Sequence, residues 1–250
     1  MTRYLVFTLK GPMQSWGTSA AVGEVRSTAN HPSRSGVMGL VAAALGIRRS
    51  QPDELVRLHQ ASRLAVRMDR PGDRMVDYHT VQVPPGTKKR VYRTRRDELV
   101  SMLEQDEKPA TILSRREYLA GAAFTACIWL ESDAGHDLDD MREALRHPGL
   151  TLYLGRKSCP LGFPLLPEVL EAEDAIAAFH VYDAMREQVP EWDTRPGTQV
   201  WTDEGYGDQP AIMTFSTRDV LTNARKRQFD TRTEIHLSLP ETEEADHVHE

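Results

Sequence analysis

The order of the apolar runs is what most restricts the fold. RYLVFTL (residues 3–9) is rich in β-formers and stops at Gly11-Pro12, so it reads as a buried strand. After a polar, Gly-punctuated loop, Ser33 or Ser35 can cap a helix that runs to Gly46, whose position suits a C-terminal left-handed residue. LAVRMD (64–69) and AAFTACIWL (122–130) are further strands. DLDDMREALRH (137–147) is a helix with acids in its first turn and Arg and His in its last. LTLYLG (150–155) is expected as the closing strand. A second helix, about 51–62, starts with Ser50 as its cap and Pro52 in its first turn.

With that helix and residues 70–121 set aside, the order is β-α-β-β-α-β. This predicts an α+β fold with a ferredoxin-like domain, the arrangement shared by RNA-recognition domains. Residues 1–160 are expected to form it, with an insertion at about 75–118. TQVWT, AIMTF and TEIHLSL predict a small β-rich subdomain over 161–240, and the acidic 241–250 reads as a disordered tail.

The insertion is unusual in its charge. The chain carries 31 Lys and Arg against 37 Asp and Glu, yet the first 96 residues hold 17 cations and 6 acids. Lys88, Lys89, Arg90, Arg93, Arg95 and Arg96 fall within 78–96, which contains no acid. MVDYHTVQV and KRVYRT read as two strands joined by Pro84-Pro85-Gly86, making a protruding basic hairpin. A polyanion is its natural partner, with Tyr78 and Tyr92 available to stack on unpaired bases. A solvated charged edge that guards a strand against aggregation is the competing reading. PSRSGVMGL places Arg34, Ser33 and Ser35 at a helix start, where free N–H groups favour a phosphate, although ordinary capping also explains the serines.

Several classes lack support. Neither GxxxxGK[ST] nor GxGxxG occurs, so no nucleotide cofactor is implied. Cys127 and Cys159 suggest no disulfide framework and suit a reducing cytoplasm. The most apolar run, VMGLVAAALGI, is too short to cross a bilayer, which needs about 20 residues, and the amino-terminal strand lacks the apolar core of a signal peptide. His79, near Lys88 and Lys89, could serve a metal-independent ribonuclease as general base. His31, His59, His136, His147, His180 and His236 show no metal-ligand spacing and read as structural or solvent-facing.

LKGPMQSWG (9–17), PSRSGVMGLVAAALGI (32–47), DYHTV (77–81), RREYL (115–119) and LYLGRKSCPL (152–161) together resemble the CasD family of the RAMP superfamily. Its members are RNA-capping subunits of Cascade, the type I-E CRISPR surveillance complex. The likeness runs in order to about residue 165 and is diffuse beyond it.

The resemblance implies a ferredoxin-like domain with a β-hairpin thumb that holds the 5' handle of a CRISPR RNA (crRNA). The same subunit would pack against the backbone subunit CasC and the large subunit CasA, and meet target DNA only indirectly. Guide pairing supplies target specificity in such complexes, so a grip on one short RNA end suffices. The resemblance puts a binding role on Gln14, Trp16, Arg34, Ser35, Tyr78, His79, Arg115 and Arg116. The cations from 88 to 96 rest on charge alone. Met13, Trp16 and GFPLLP (162–167) are expected on a surface meant for neighbours. The leading expectation is therefore a non-enzymatic RNA-binding subunit. A ribonuclease processing precursor crRNA, or a ligand-binding regulatory module, is the alternative.

Overall fold

β1 (Thr2–Lys10) is mostly apolar from Tyr4 to Leu9 because both of its faces are covered there. Leu5, Phe7 and Leu9 belong to one buried cluster, while Tyr4 and Val6 belong to another across the sheet. The computed structural model describes residues 1–18, 24–85, 91–104, 108–187, 195–203 and 211–240.

The short strands β2 (Met13–Gln14), β3 (Trp16–Gly17), β4 (Val25–Arg26) and β5 (Thr28–Ala29) follow. Then come α1 (Arg34–Ala44), α2 (Pro52–Ala61), β6 (Ser62–Arg70), β7 (Asp73–Val83), α3 (Arg95–Glu104), β8 (Ala110–Ala120) and β9 (Ala123–Leu130). The chain continues with α4 (Leu138–Arg146), β10 (Glu168–Ala172), α5 (Ala175–Arg186), β11 (Gln199–Thr202), β12 (Ala211–Asn223) and β13 (Gln228–Ser238).

Seven strands form one antiparallel sheet in the order β10-β1-β9-β6-β11-β13-β12. Val37 and Met38 of α1, Leu58 of α2 and Met141 of α4 pack on one face, and Phe179 and Tyr182 of α5 on the other. Full burial of one such side chain contributes about 1.5–3 kcal/mol, so this two-sided core accounts for the continuous apolar strands. α5 is also anchored by charge, since Arg67 on β6 donates two hydrogen bonds to Asp183 at 2.6 and 2.7 Å. The strands expected as a separate carboxyl-terminal unit, β11 to β13, continue this sheet through β6.

α1 is capped by Ser33, whose hydroxyl accepts from the Gly36 N–H, and Gly46 follows it at φ +77°. α4 starts with a capping box between Asp137 and Asp140. α2 begins one residue later than expected: Gln51, not Ser50, holds the cap position, and Pro52 opens the helix.

Two expected strands are corrected. LTLYLG is not a sheet strand. Gly149 and Leu150 donate their N–H groups to the Ala44 and Ala43 carbonyls at the end of α1, and the Leu154 carbonyl accepts from Ser15. Leu152 and Leu154 are buried beneath this loop, and the strand beside β1 is β10. KRVYRT is not the partner of β7. β7 pairs with β8 from Asp73↔Ala120 to Val83↔Ala110, forming a long two-stranded arm. Residues 91–94 are irregular, and α3 starts at Arg95 because Thr94 and Asp97 hydrogen-bond reciprocally at 3.0 and 3.2 Å. Lys88, Lys89, Arg90 and the tail 241–250 lie outside the described residues.

Candidate nucleic-acid interface

The base of the arm gathers cations and phenols. β8 is flanked by β7 on one side and by the parallel β4 on the other, so Arg115 sits between Tyr78 and Val25. Arg116 sits likewise between Asp77 and Arg26. Residues directly opposite in a ladder share a face, and the Arg115 guanidinium lies 5.9 Å from the centre of the Tyr78 ring. Both side chains are exposed, Tyr78 at 53%.

Tyr118, two residues beyond Arg116, carries the Arg156 guanidinium 5.1 Å from its ring centre. Arg156 is held by the Arg26 carbonyl at 2.8 Å and the Glu117 carbonyl at 3.2 Å. Arg115 and Tyr78 thus share one face of the ladder, Arg116 and the buried Tyr118 with Arg156 over its ring belong to the other, and Glu117 is engaged by Arg74 at 2.6 Å. A guanidinium held against an aromatic ring offers a phosphate donor and a stacking face together.

A second wall faces this cluster. An open trough of about 990 Å³ runs between the start of α1 and the β12–β13 hairpin, with Ser33, Ser35, Phe215, Arg218, Arg227 and Phe229 on its sides. A smaller pocket of about 320 Å³ continues it past Gly17, Ser35 and Phe229 to Arg26 and Arg156. At the trough's back the Trp201 indole is stacked with His31 at 4.4 Å and with His236 at 4.6 Å. Burial lowers the pKa of both histidines, which favours neutral, stackable rings. The trough's carboxylates are already engaged: Arg232 donates to Asp219 at 2.7 Å and to Glu234 at 2.6 Å.

Of the residues expected to bind, Tyr78, His79, Arg115 and Arg116 come together at the arm base, where His79 hydrogen-bonds Asp77. Ser35 lines the trough. Arg93, Arg95 and Arg96 are exposed farther along the arm, and Arg95 is paired with Glu98 and the Gln82 carbonyl.

Three expectations are corrected, because the side chains are enclosed. Gln14 is fully buried, donating to the Leu9 and Ala122 carbonyls at 3.0 and 2.8 Å and accepting from the Trp16 indole N–H at 3.0 Å. Trp16 is 1% exposed, so it offers no surface to a base or a neighbour. A Cβ on Gly36 would stand 2.9 Å from that indole, which is why α1 carries glycine where it crosses the ring. Arg34 is 4% exposed; its guanidinium donates to the His59 and Ser62 carbonyls at 2.6 and 2.5 Å, and its backbone N–H donates to Asp219 at 2.9 Å. The positive end of α1 is therefore occupied by the chain's own carboxylate.

Arg26, Arg156, Arg218 and the cations at 225–227 were not among the residues expected from sequence. NARKRQ between two alternating runs is a basic hairpin turn, which is the local signal for them.

Known proteins match this architecture from end to end. The model of the family described as CRISPR-associated protein (Cas_Cas5) matches residues 4–234. The protein named "CRISPR system Cascade subunit CasD" of Escherichia coli (strain K12) is 33% identical over 240 residues, covering 93% of this chain and 94% of that one. A chain of a solved "CRISPR RNA-guided surveillance complex" superposes with a TM-score of 0.61 at 28% identity, over 95% of this chain and 91% of that one. A second solved chain, described as "Crystal structure of Cas protein", gives 0.62 at 26% identity over 95% of each. With a family match over nearly its whole length and a relative one-third identical, the chain belongs to the CRISPR-associated Cas5 family.

Proposed function

We propose that this chain is a non-catalytic RNA-binding subunit of a type I-E CRISPR surveillance complex, capping the 5' handle of the crRNA and helping to assemble the particle. The observation that carries the reading is the arm base. Arg115 over the exposed Tyr78 ring puts a guanidinium and an aromatic face together, and Arg116, opposite Arg26 in the next rung, adds cations on the other face of the arm. In this reading the unit β1-α1-β6-β9-α4-β10 is a ferredoxin-like domain and the β7–β8 arm is its thumb. The backbone subunit CasC and the large subunit CasA are the protein partners, target DNA is met only through the paired guide, and the setting is the cytoplasm. Similarity to the E. coli Cascade subunit and to a chain of the solved RNA-guided surveillance complex supports this assignment.

The roles divide by chemistry. Arg26, Arg115, Arg116 and Arg156 take phosphates, and Tyr78 stacks a base. Gln14, Trp16 and Arg34 shape the walls without touching RNA. Catalysis needs a base, an acid and a stabiliser of the phosphorane in reach of one phosphodiester. His79 is hydrogen-bonded to Asp77, and in this reading it helps to shape the arm without acting as a base.

The test is an RNA titration across salt concentrations. For single strands each lost phosphate contact lowers the log-log slope by about 0.7, so Arg115→Gln with Arg116→Gln should lower it by roughly 1.4. An unchanged slope contradicts the assignment of these two arginines.

A further inference from the structure

We infer that the β12–β13 hairpin is a second single-stranded nucleic-acid contact, binding phosphates at Arg218, Arg225, Lys226 and Arg227 while the trough beneath it accepts unstacked bases. The inference rests on the RNA-binding reading of the arm base and extends it to the far wall.

The charge of the hairpin is the first support. The four cations are exposed, and among the described residues none is paired with a carboxylate. The acids nearby are committed elsewhere: Asp219 and Glu234 are buried against Arg232, and Asp230 accepts from the Thr231 N–H at 2.7 Å. The hairpin's own exposed surface therefore has four cations and one acid, Asp230, which suits a polyanion, and Arg225 also lines a separate pocket with Asp53 and Asp133 of neighbouring elements.

Aromatic faces lie directly below. Phe215 is 39% exposed, Phe229 is half-buried, and both line the trough of about 990 Å³. Rings beside a cationic track are the combination that binds single strands, because every base has a face to stack. Phe229, Ser33 and Ser35 also line the smaller pocket that reaches Arg26 and Arg156, so the groove beneath the hairpin extends to these two arginines.

The turn also holds its cations in a defined shape. Asn223 accepts from the Lys226 N–H at 3.0 Å, and Arg227 is kept at φ +51°, a conformation that costs an ordinary side chain and is free for glycine. Bulges at Arg218/Val220 and Leu221/Asn223 turn the ladder just before this point.

The experiment uses the full-length chain and a fluorescein-labelled single-stranded RNA of about 12 nucleotides, within the span such grooves cover. Anisotropy is measured over a series of KCl concentrations. The triple variant Arg225→Gln, Lys226→Gln, Arg227→Gln should lower the log-log salt slope by roughly 2, whereas Arg225→Lys with Arg227→Lys should keep it. Arg227→Gly separates binding from folding: it should raise the melting temperature while lowering the slope by about 0.7. If the triple variant keeps the wild-type slope while Arg115→Gln with Arg116→Gln loses it, the hairpin inference alone is overturned. It is overturned equally if the triple variant keeps its slope but no longer joins protein neighbours, because the hairpin then meets an acidic protein surface. If neither variant changes the slope, both the RNA-binding reading and this inference fail.

Discussion

The Asp219 carboxylate accepts a hydrogen bond from the backbone N–H of Arg34 at 2.9 Å, across 185 residues of sequence. It ties the start of α1 to the β12–β13 hairpin and so joins the two sides of the trough. Arg232 holds the same carboxylate at 2.7 and 3.1 Å, which balances its buried charge. Arg232 keeps Asp203 and Glu234 as partners, so removing Asp219 chiefly leaves the buried Arg34 N–H without its acceptor, at a cost of about 1–3 kcal/mol. Asp219→Ala should therefore lower the unfolding free energy by an amount in that range, read in urea as a lower midpoint at an unchanged m-value. Asp219→Asn, which can still accept one hydrogen bond, should lose less. A shift under about 0.5 kcal/mol, the level of an ordinary surface substitution, would contradict the tie.

Gly155 governs how closely the 150–162 loop approaches the 11–17 loop. It has φ +85°, and a Cβ there would lie 1.9 Å from the Ser15 carbonyl oxygen. Backbone must move to admit a methyl group, so Gly155→Ala should cost about 2–4 kcal/mol, measurable by thermal denaturation. Because Arg156 follows immediately, RNA affinity should fall in the same variant. A fully stable Gly155→Ala protein would mean that the two loops are farther apart.

His59 makes stability pH-dependent. Burial, reinforced by the neighbouring Arg34 charge, lowers its pKa from 6.5 to about 4. Between those values the unfolded chain binds the proton and the folded chain does not, so stability falls as pH drops through this window. The loss is absent near pH 7 and complete below about pH 4, where it reaches about 3 kcal/mol. His59→Phe should flatten the stability profile over that window in denaturant titrations at stepped pH. A wild-type profile that is already flat there would contradict the neutral, buried histidine.

His79 separates the binding subunit from the ribonuclease. With chelator present, the wild-type chain and His79→Ala should both leave a labelled repeat RNA intact over a long incubation. Cleavage by the wild type that disappears in His79→Ala would revive the catalytic reading.

Local signals were legible in the sequence where the fold uses them locally. RYLVFTL and AAFTACIWL are central strands, and Ser33, Gly46 and Asp137 mark the ends of α1 and α4 as their residue types require. LTLYLG was misleading because an apolar run shows that a segment is buried, not which backbone groups it meets; the Leu150 N–H goes to α1 and the Leu154 N–H to the Cys159 carbonyl of its own loop. KRVYRT suggests a partner strand for β7, but Thr94 and Asp97 start α3 at this point and the pairing strand, β8, comes only after that helix. Tyr78, Arg115 and Arg116 do share the arm base. Arg34 resembled an anion-binding residue because its burial depends on Asp203 and Asp219, which no local pattern connects to it. The basic turn at 225–227 was legible in composition but not in place, since only the sheet order sets it against the trough.

The central claim is tested most directly by purifying a tagged copy from cells that also produce its natural neighbours and a CRISPR transcript, then assaying protein and RNA together. The expected result is a multi-protein particle containing one RNA of uniform length, crosslinked by ultraviolet light to the arm base at Tyr78. A monodisperse, RNA-free monomer that joins no particle under those conditions would contradict it.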